Sequence, residues 1–110
     1  MAKDFRRTKE YRELKRTLEE NLASRGLVEP VYLDMVRRYL SFREMEHSAE
    51  LDIAEKGINI WDEKRGSWQV NPSVSTLANA SRQAAAIYRA LGFEDEAKKS
   101  RSGLGDDDEL

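Results

Sequence analysis

The stretch Ala54–Pro72 reads AEKGINIWDEKRGSWQVNP, and its reading decides the fold. Before it, apolar residues recur every three or four positions. Inside it, Ile58-Asn59-Ile60-Trp61 and Trp68-Gln69-Val70 alternate, which is the period of a strand. Between the two runs lies Asp62-Glu63-Lys64-Arg65-Gly66-Ser67, polar and with a glycine near its end. The pattern predicts a short β-hairpin with Gly66 at positive φ. The edges are marked as well. Gly57 suits the end of a helix, Asn71 is a strong N-cap residue, and Pro72 fits a first helical position. A two-stranded hairpin alone is marginal in water. Trp61 and Trp68 must therefore pack on something, either a helix of their own chain or a neighbouring subunit.

Upstream, a long helix is predicted from near Pro30 to just before Gly57. At 100° per residue, Val31, Met35, Tyr39, Phe42, Ala49 and Ile53 share one face, and Val36, Leu40, Leu51 and Ala54 form a flanking strip. That apolar arc is wider than packing against one neighbour needs. Either the chain wraps this helix on both sides, or one side faces another subunit. Downstream, a helix runs from Asn71-Pro72 to about Leu91, with Val74, Leu77, Ala78, Ser81, Ala84, Ala85, Tyr88 and Leu91 on one face. Residues 93–99 are expected to add a helical turn or two after Gly92. An N-terminal helix is expected from Asp4 to Ser24, where Tyr11, Leu14, Leu18 and Leu22 make the apolar stripe and Gly26 the stop. Arg6–Glu10, Lys9–Glu13, Lys15–Glu19 and Arg16–Glu20 are spaced as i,i+4 ion pairs. The expected fold is all-α with one short β-hairpin. A long central helix packs with N- and C-terminal helices in one domain, residues 1–101, followed by a disordered acidic tail, residues 102–110.

The chain has 110 residues, enough for one domain. A charged content of 36% fits helices that each keep a solvated face. There are no cysteines, so disulfides and thiolate metal sites are excluded and a reducing compartment is the natural reading. The start is charged rather than a signal peptide, and no apolar run is long enough to span a membrane. These features point to the cytoplasm. Charge is polarised along the chain. Up to Arg16, seven basic residues face three acidic ones, while Asp106-Asp107-Asp108-Glu109 closes the other end.

No segment approaches a phosphate-binding glycine loop or a dinucleotide fingerprint. His47, the only histidine, reads as a surface residue. Asp62 and Glu63 read as solvated turn residues rather than a metal pair, and Arg82 and Arg89 as a polar helix face. No catalytic residue, metal site or cofactor is expected. The basic head is the candidate binding surface. Lys9, Arg12 and Arg16 lie opposite the Tyr11–Leu22 stripe, and with Arg6, Arg7 and Lys15 they could contact phosphates and release counterions. The competing reading is a salt-bridged surface helix. Lys64 and Arg65 at the hairpin tip form a second, weaker candidate.

VRRYLSFREME (36–46), AEKGINIWDEKRGSWQVNP (54–72) and VSTLANASRQAAAIYRALG (74–92) occur in an order that resembles the small terminase subunits of tailed phages. About sixty residues carry the resemblance, with Asn71-Pro72 and Leu91-Gly92 its sharpest points. Many members continue with a proline and a serine–arginine segment. Here Phe93-Glu94-Asp95-Glu96-Ala97 stands instead, and only Ser100-Arg101 echoes it. The resemblance implies a non-enzymatic homo-oligomer, a ring in the host cytoplasm, that binds double-stranded viral DNA and regulates the ATPase–nuclease large subunit. It also implies that the strip Val36, Leu40, Leu51, Ala54 is an intersubunit contact. Rival readings are a dimeric helical DNA-binding transcriptional regulator and a helical adaptor without DNA contact. No separate helix-turn-helix can be placed, because the only candidate turn, around Gly26, leads into a long, mostly apolar helix.

Overall fold

A computed structural model describes residues 4–93. The expected turns after Phe93 and the acidic tail lie outside the described residues. Three helices and a hairpin follow in order: α1 (Lys9–Ser24), α2 (Pro30–Lys56), β1 (Asn59–Asp62), β2 (Ser67–Val70) and α3 (Ser73–Ala90). None of these helices is long and apolar enough to cross a membrane.

The N-terminal helix starts later than its periodicity suggests. A separate 3-10 turn, Phe5–Arg7, precedes α1. Thr8 causes the break. Its backbone is extended, its hydroxyl oxygen accepts from the Tyr11 amide at 3.1 Å, and its hydroxyl donates to the Phe5 carbonyl at 2.6 Å. Threonine in that role caps a helix better than it continues one. Pro30 opens α2 and Gly57 closes it, as expected. The hairpin pairs Trp61 with Trp68 and Asn59 with Val70. Its turn closes at Gly66, whose φ of +63° most side chains avoid.

α2 and α3 run antiparallel, and this is the most extensive packing in the fold. Buried alanines, Ala49 on α2 and Ala80 and Ala84 on α3, let the backbones approach. α1 covers the N-terminal half of α2. Leu18 and Leu22 join Val36, Tyr39, Leu40, Leu91 and Phe93 in one core. The wide apolar arc of α2 thus divides along its length. Val36 and Leu40, placed by the resemblance on an intersubunit face, are buried inside their own chain because α1 lies over them. Leu51, 37% exposed, and Ala54 lie beyond the reach of α1 and remain open.

One side chain ties the end of α2, the hairpin and α3 together. The Asn71 amide donates to Asp52 Oδ2 and to the Gly57 carbonyl, both at 3.0 Å, and accepts from the Ser73 amide at 2.9 Å. Pro72 already has helical dihedrals, so Asn71 is in effect the N-cap of α3, as its sequence context suggests. The Ser73 hydroxyl donates to Asp52 Oδ2 at 2.7 Å, and Lys56 Nζ lies 3.0 Å from Oδ1. Asn71 is 1% exposed, so its removal would leave the Gly57 carbonyl and the Ser73 amide without these bonds at a largely buried junction.

Two outcomes follow from this junction. Asn71→Ala should lower stability by about 1–3 kcal/mol, the usual cost of unpairing buried polar groups, as read by denaturant unfolding. The bonds from Ser73, Lys56 and Asn71 hold the Asp52 carboxyl down from 3.8 to about 2. A depressed carboxylate stabilises the fold above its unfolded value and loses that contribution as pH falls towards the folded value. The difference in melting temperature between wild type and Asp52→Asn should therefore shrink as pH drops from about 4 to 2.

Candidate nucleic-acid interface

The basic head is held in place by packing. Phe5 is buried, with its ring 4.9 Å from His47 on α2 and 5.5 Å from Tyr11 on α1. Asp4 accepts from the Arg6 amide at 3.0 Å, and Arg6 Nε meets Glu44 Oε2 at 2.6 Å. The hydrogen bond to Glu44, and then its charge, raise the Arg6 pKa. His47 thus has a packing role that its position in the sequence does not reveal.

Of the four expected i,i+4 pairs, Lys9–Glu13 (3.7 Å) and Arg16–Glu20 (3.5 Å) form. Arg6 turns to α2, because the break at Thr8 takes it out of register with Glu10. Glu10 pairs at 3.8 Å with Arg43 instead. Arg7, Arg12 and Lys15 have no carboxylate partner among the described residues. Arg12 folds back so that Nη1 donates to the Arg7 carbonyl at 3.1 Å. Lys9, Arg12 and Arg16 share the solvated face of α1, while Lys15 sits to one side. There it borders a shallow depression with Tyr11, Glu19 and Arg37. Arg37 is a basic neighbour that linear reading misses, since it comes from α2. Its charge is partly offset by Asp34, 2.6 Å away, whose carboxyl is held down chiefly by the hydrogen bond from Arg37.

The hairpin tip does not join this surface. The basic head docks at Glu44, and the hairpin begins only after Gly57, about 18 Å of helix further along α2. Asp62 Oδ1 accepts from the Lys64 and Arg65 amides at 2.9 and 3.2 Å. Arg65 Nε lies 3.7 Å from Asp62 Oδ2, so the aspartate organises the turn. Lys64 is exposed. Asp62 and Glu63 therefore sit in a turn whose carboxylate is engaged by backbone amides. Among the described residues no cluster of three His, Cys, Asp or Glu could hold a metal ion.

The two tryptophans pack on each other, with centroids 5.6 Å apart at 73°. Trp61 is 47% exposed and Trp68 66%, and Val70 on the same face is also exposed. The hairpin core expected from the alternation is thus an apolar face open to solvent. Elsewhere, a groove of about 480 Å³ opens between the helices, lined by Leu14, Tyr39, Ala85 and Tyr88, with Arg43 and Arg89 at its polar side.

A family model described as phage terminase, small subunit, matches residues 9–108. No curated protein and no solved structure matches the chain.

The docking of the basic head depends on Phe5. Phe5→Ala should release residues 4–8 at a cost of up to about 3 kcal/mol, towards the lower end for aromatic truncations. Amide exchange should accelerate in the 3-10 turn and the first turn of α1, while the α2–α3 core stays protected.

Proposed function

The chain belongs to the phage terminase small-subunit family, and from that premise we propose that it is a non-catalytic component of viral genome packaging in the host cytoplasm. It assembles into a multi-subunit ring, binds double-stranded viral DNA and regulates the ATPase–nuclease large subunit. The DNA contact is the basic head: Arg6, Arg7, Lys9, Arg12, Lys15 and Arg16. Lys64 and Arg65 at the hairpin tip contribute only where the assembly brings them near the same duplex.

The observation that carries this reading is the group of unpaired cations at the N-terminal end of α1. Lys9 and Arg16 are half-neutralised by their glutamates, and Arg6 is committed to Glu44. Arg7, Arg12 and Lys15 are left, too few for tight binding by one subunit. Repetition around a ring supplies the rest, because linked weak contacts gain roughly 10²–10⁴ in avidity when geometry lets them engage together. Leu51, Ala54 and the open face of the hairpin are the apolar surface available for assembly. The dimeric-regulator reading is less well supported. Residues 25–29, which join α1 to α2, form a longer link than the three- to four-residue turn of a helix-turn-helix, and α2 has 27 residues.

Arg12→Glu with Arg16→Glu should weaken binding to every duplex sequence while leaving subunit number unchanged by light scattering. The slope of log affinity against log salt should become shallower by about 0.9 for each phosphate that the variant no longer neutralises. Equal affinity and equal slope for the two proteins, at equal size, would place the DNA contact elsewhere.

A further inference from the structure

We propose that the exposed face of the hairpin seats in the α1–α2–α3 groove of a neighbouring copy, in a head-to-tail contact. The proposal rests on the assembly reading and specifies its joint. Trp61, Trp68 and Val70 lie on one face of a two-stranded hairpin that is marginal in water without cover. Among the described residues nothing covers this face: the Asn71 junction holds the exit from α2 and the entry to α3, and the main partner of each strand is the other strand.

The same chain carries a second apolar surface that nothing among the described residues fills. The groove of about 480 Å³ offers the rings of Tyr39 and Tyr88, with Leu14 and the exposed methyl of Ala85. Each surface also carries one unpaired charge, opposite in sign to the other's, beside the ion-paired Arg43 and Glu46 of the groove and the basic Lys64 and Arg65 of the tip. Arg89, beside the groove, has no carboxylate partner among the described residues, and Glu63, two residues from Trp61, has no cation partner there. A guanidinium at the groove also suits an indole face. Because the two patches are different surfaces of one chain, their union is heterologous. Such a contact propagates and closes into a ring when the rotation per step allows it. A hairpin-to-hairpin contact would be isologous and would stop at a dimer.

The absence of cysteines makes the test direct. Val70→Cys and Ala85→Cys are introduced singly and together in the full chain, and each protein is treated with a short bismaleimide. The double variant should give a ladder of dimers, trimers and larger species. The two single variants should give dimers only when mixed. Cross-linking of Val70→Cys with itself, or no cross-link in a protein shown to be assembled, would overturn the joint while leaving assembly intact. A wild-type chain that is monomeric throughout would overturn the assembly reading and the joint with it. A second measurement does not depend on cross-linker reach. Glu63→Arg and Arg89→Glu should each lower subunit number at a fixed concentration, and the two changes combined should restore it. Failure of the combined variant to recover, with helical content unchanged by circular dichroism, would contradict the joint.

Discussion

The side-chain amide of Asn71 bonds to Asp52, Gly57 and Ser73 at once, and the arrangement of the molecule follows from it. A chain leaving a long helix through a glycine could go in many directions. Here the carbonyl that ends α2 and the amide that starts α3 are held by one buried residue. Both ends of the hairpin between them are therefore held at one junction. α3 is set antiparallel on α2, where Ala49, Ala80 and Ala84 allow close contact. Asp52 completes the junction by taking bonds from Ser73 and Lys56. The arrangement has a cost in exposure, because it leaves two indoles on a surface that nothing among the described residues covers.

Much of this is legible before any coordinates. Helix ends are read from local chemistry, and Pro30, Gly57, Asn71-Pro72 and Gly66 all act as their residue types suggest. The existence of the hairpin follows from the alternation around Trp61 and Trp68, while its register is seen only in the structure. The break at Thr8 is harder to see, since Asp4–Ser24 keeps a helical pattern and only the side-chain bonds of Thr8 show that the backbone turns there. Tertiary neighbours are not legible at all. Nothing in the chain order places Arg6 beside Glu44, Phe5 on His47, or Arg37 beside Lys15. The wide arc of α2 is visible in sequence, but its division is not. Whether Val36 and Leu40 face α1 or another subunit depends on where α1 lies, and that is a matter of long-range packing.

The basic head and the open apolar surfaces support each other as parts of one design. Glutamates on α1 and α2 offset much of the positive charge, so the DNA contact proposed for a single subunit is weak and salt-sensitive. Such a surface gains from repetition. The hairpin face and the groove, for their part, are exposed in the described chain and are the surfaces that the proposed assembly would cover. The surfaces proposed for assembly and for DNA are thus apart on the molecule: the cations sit at the N-terminal end of α1, the indoles beyond the end of α2. The proposed packaging role needs that separation, so that a subunit can hold a duplex without giving up its contacts to other copies.

The claim on which this account depends is that the chain works as a closed multi-subunit assembly. Native mass spectrometry of the purified full chain over a wide range of concentration tests it most directly. The account predicts one dominant species of fixed subunit number, well above a dimer, that persists on dilution. A spectrum showing only monomer or dimer at every concentration would contradict it.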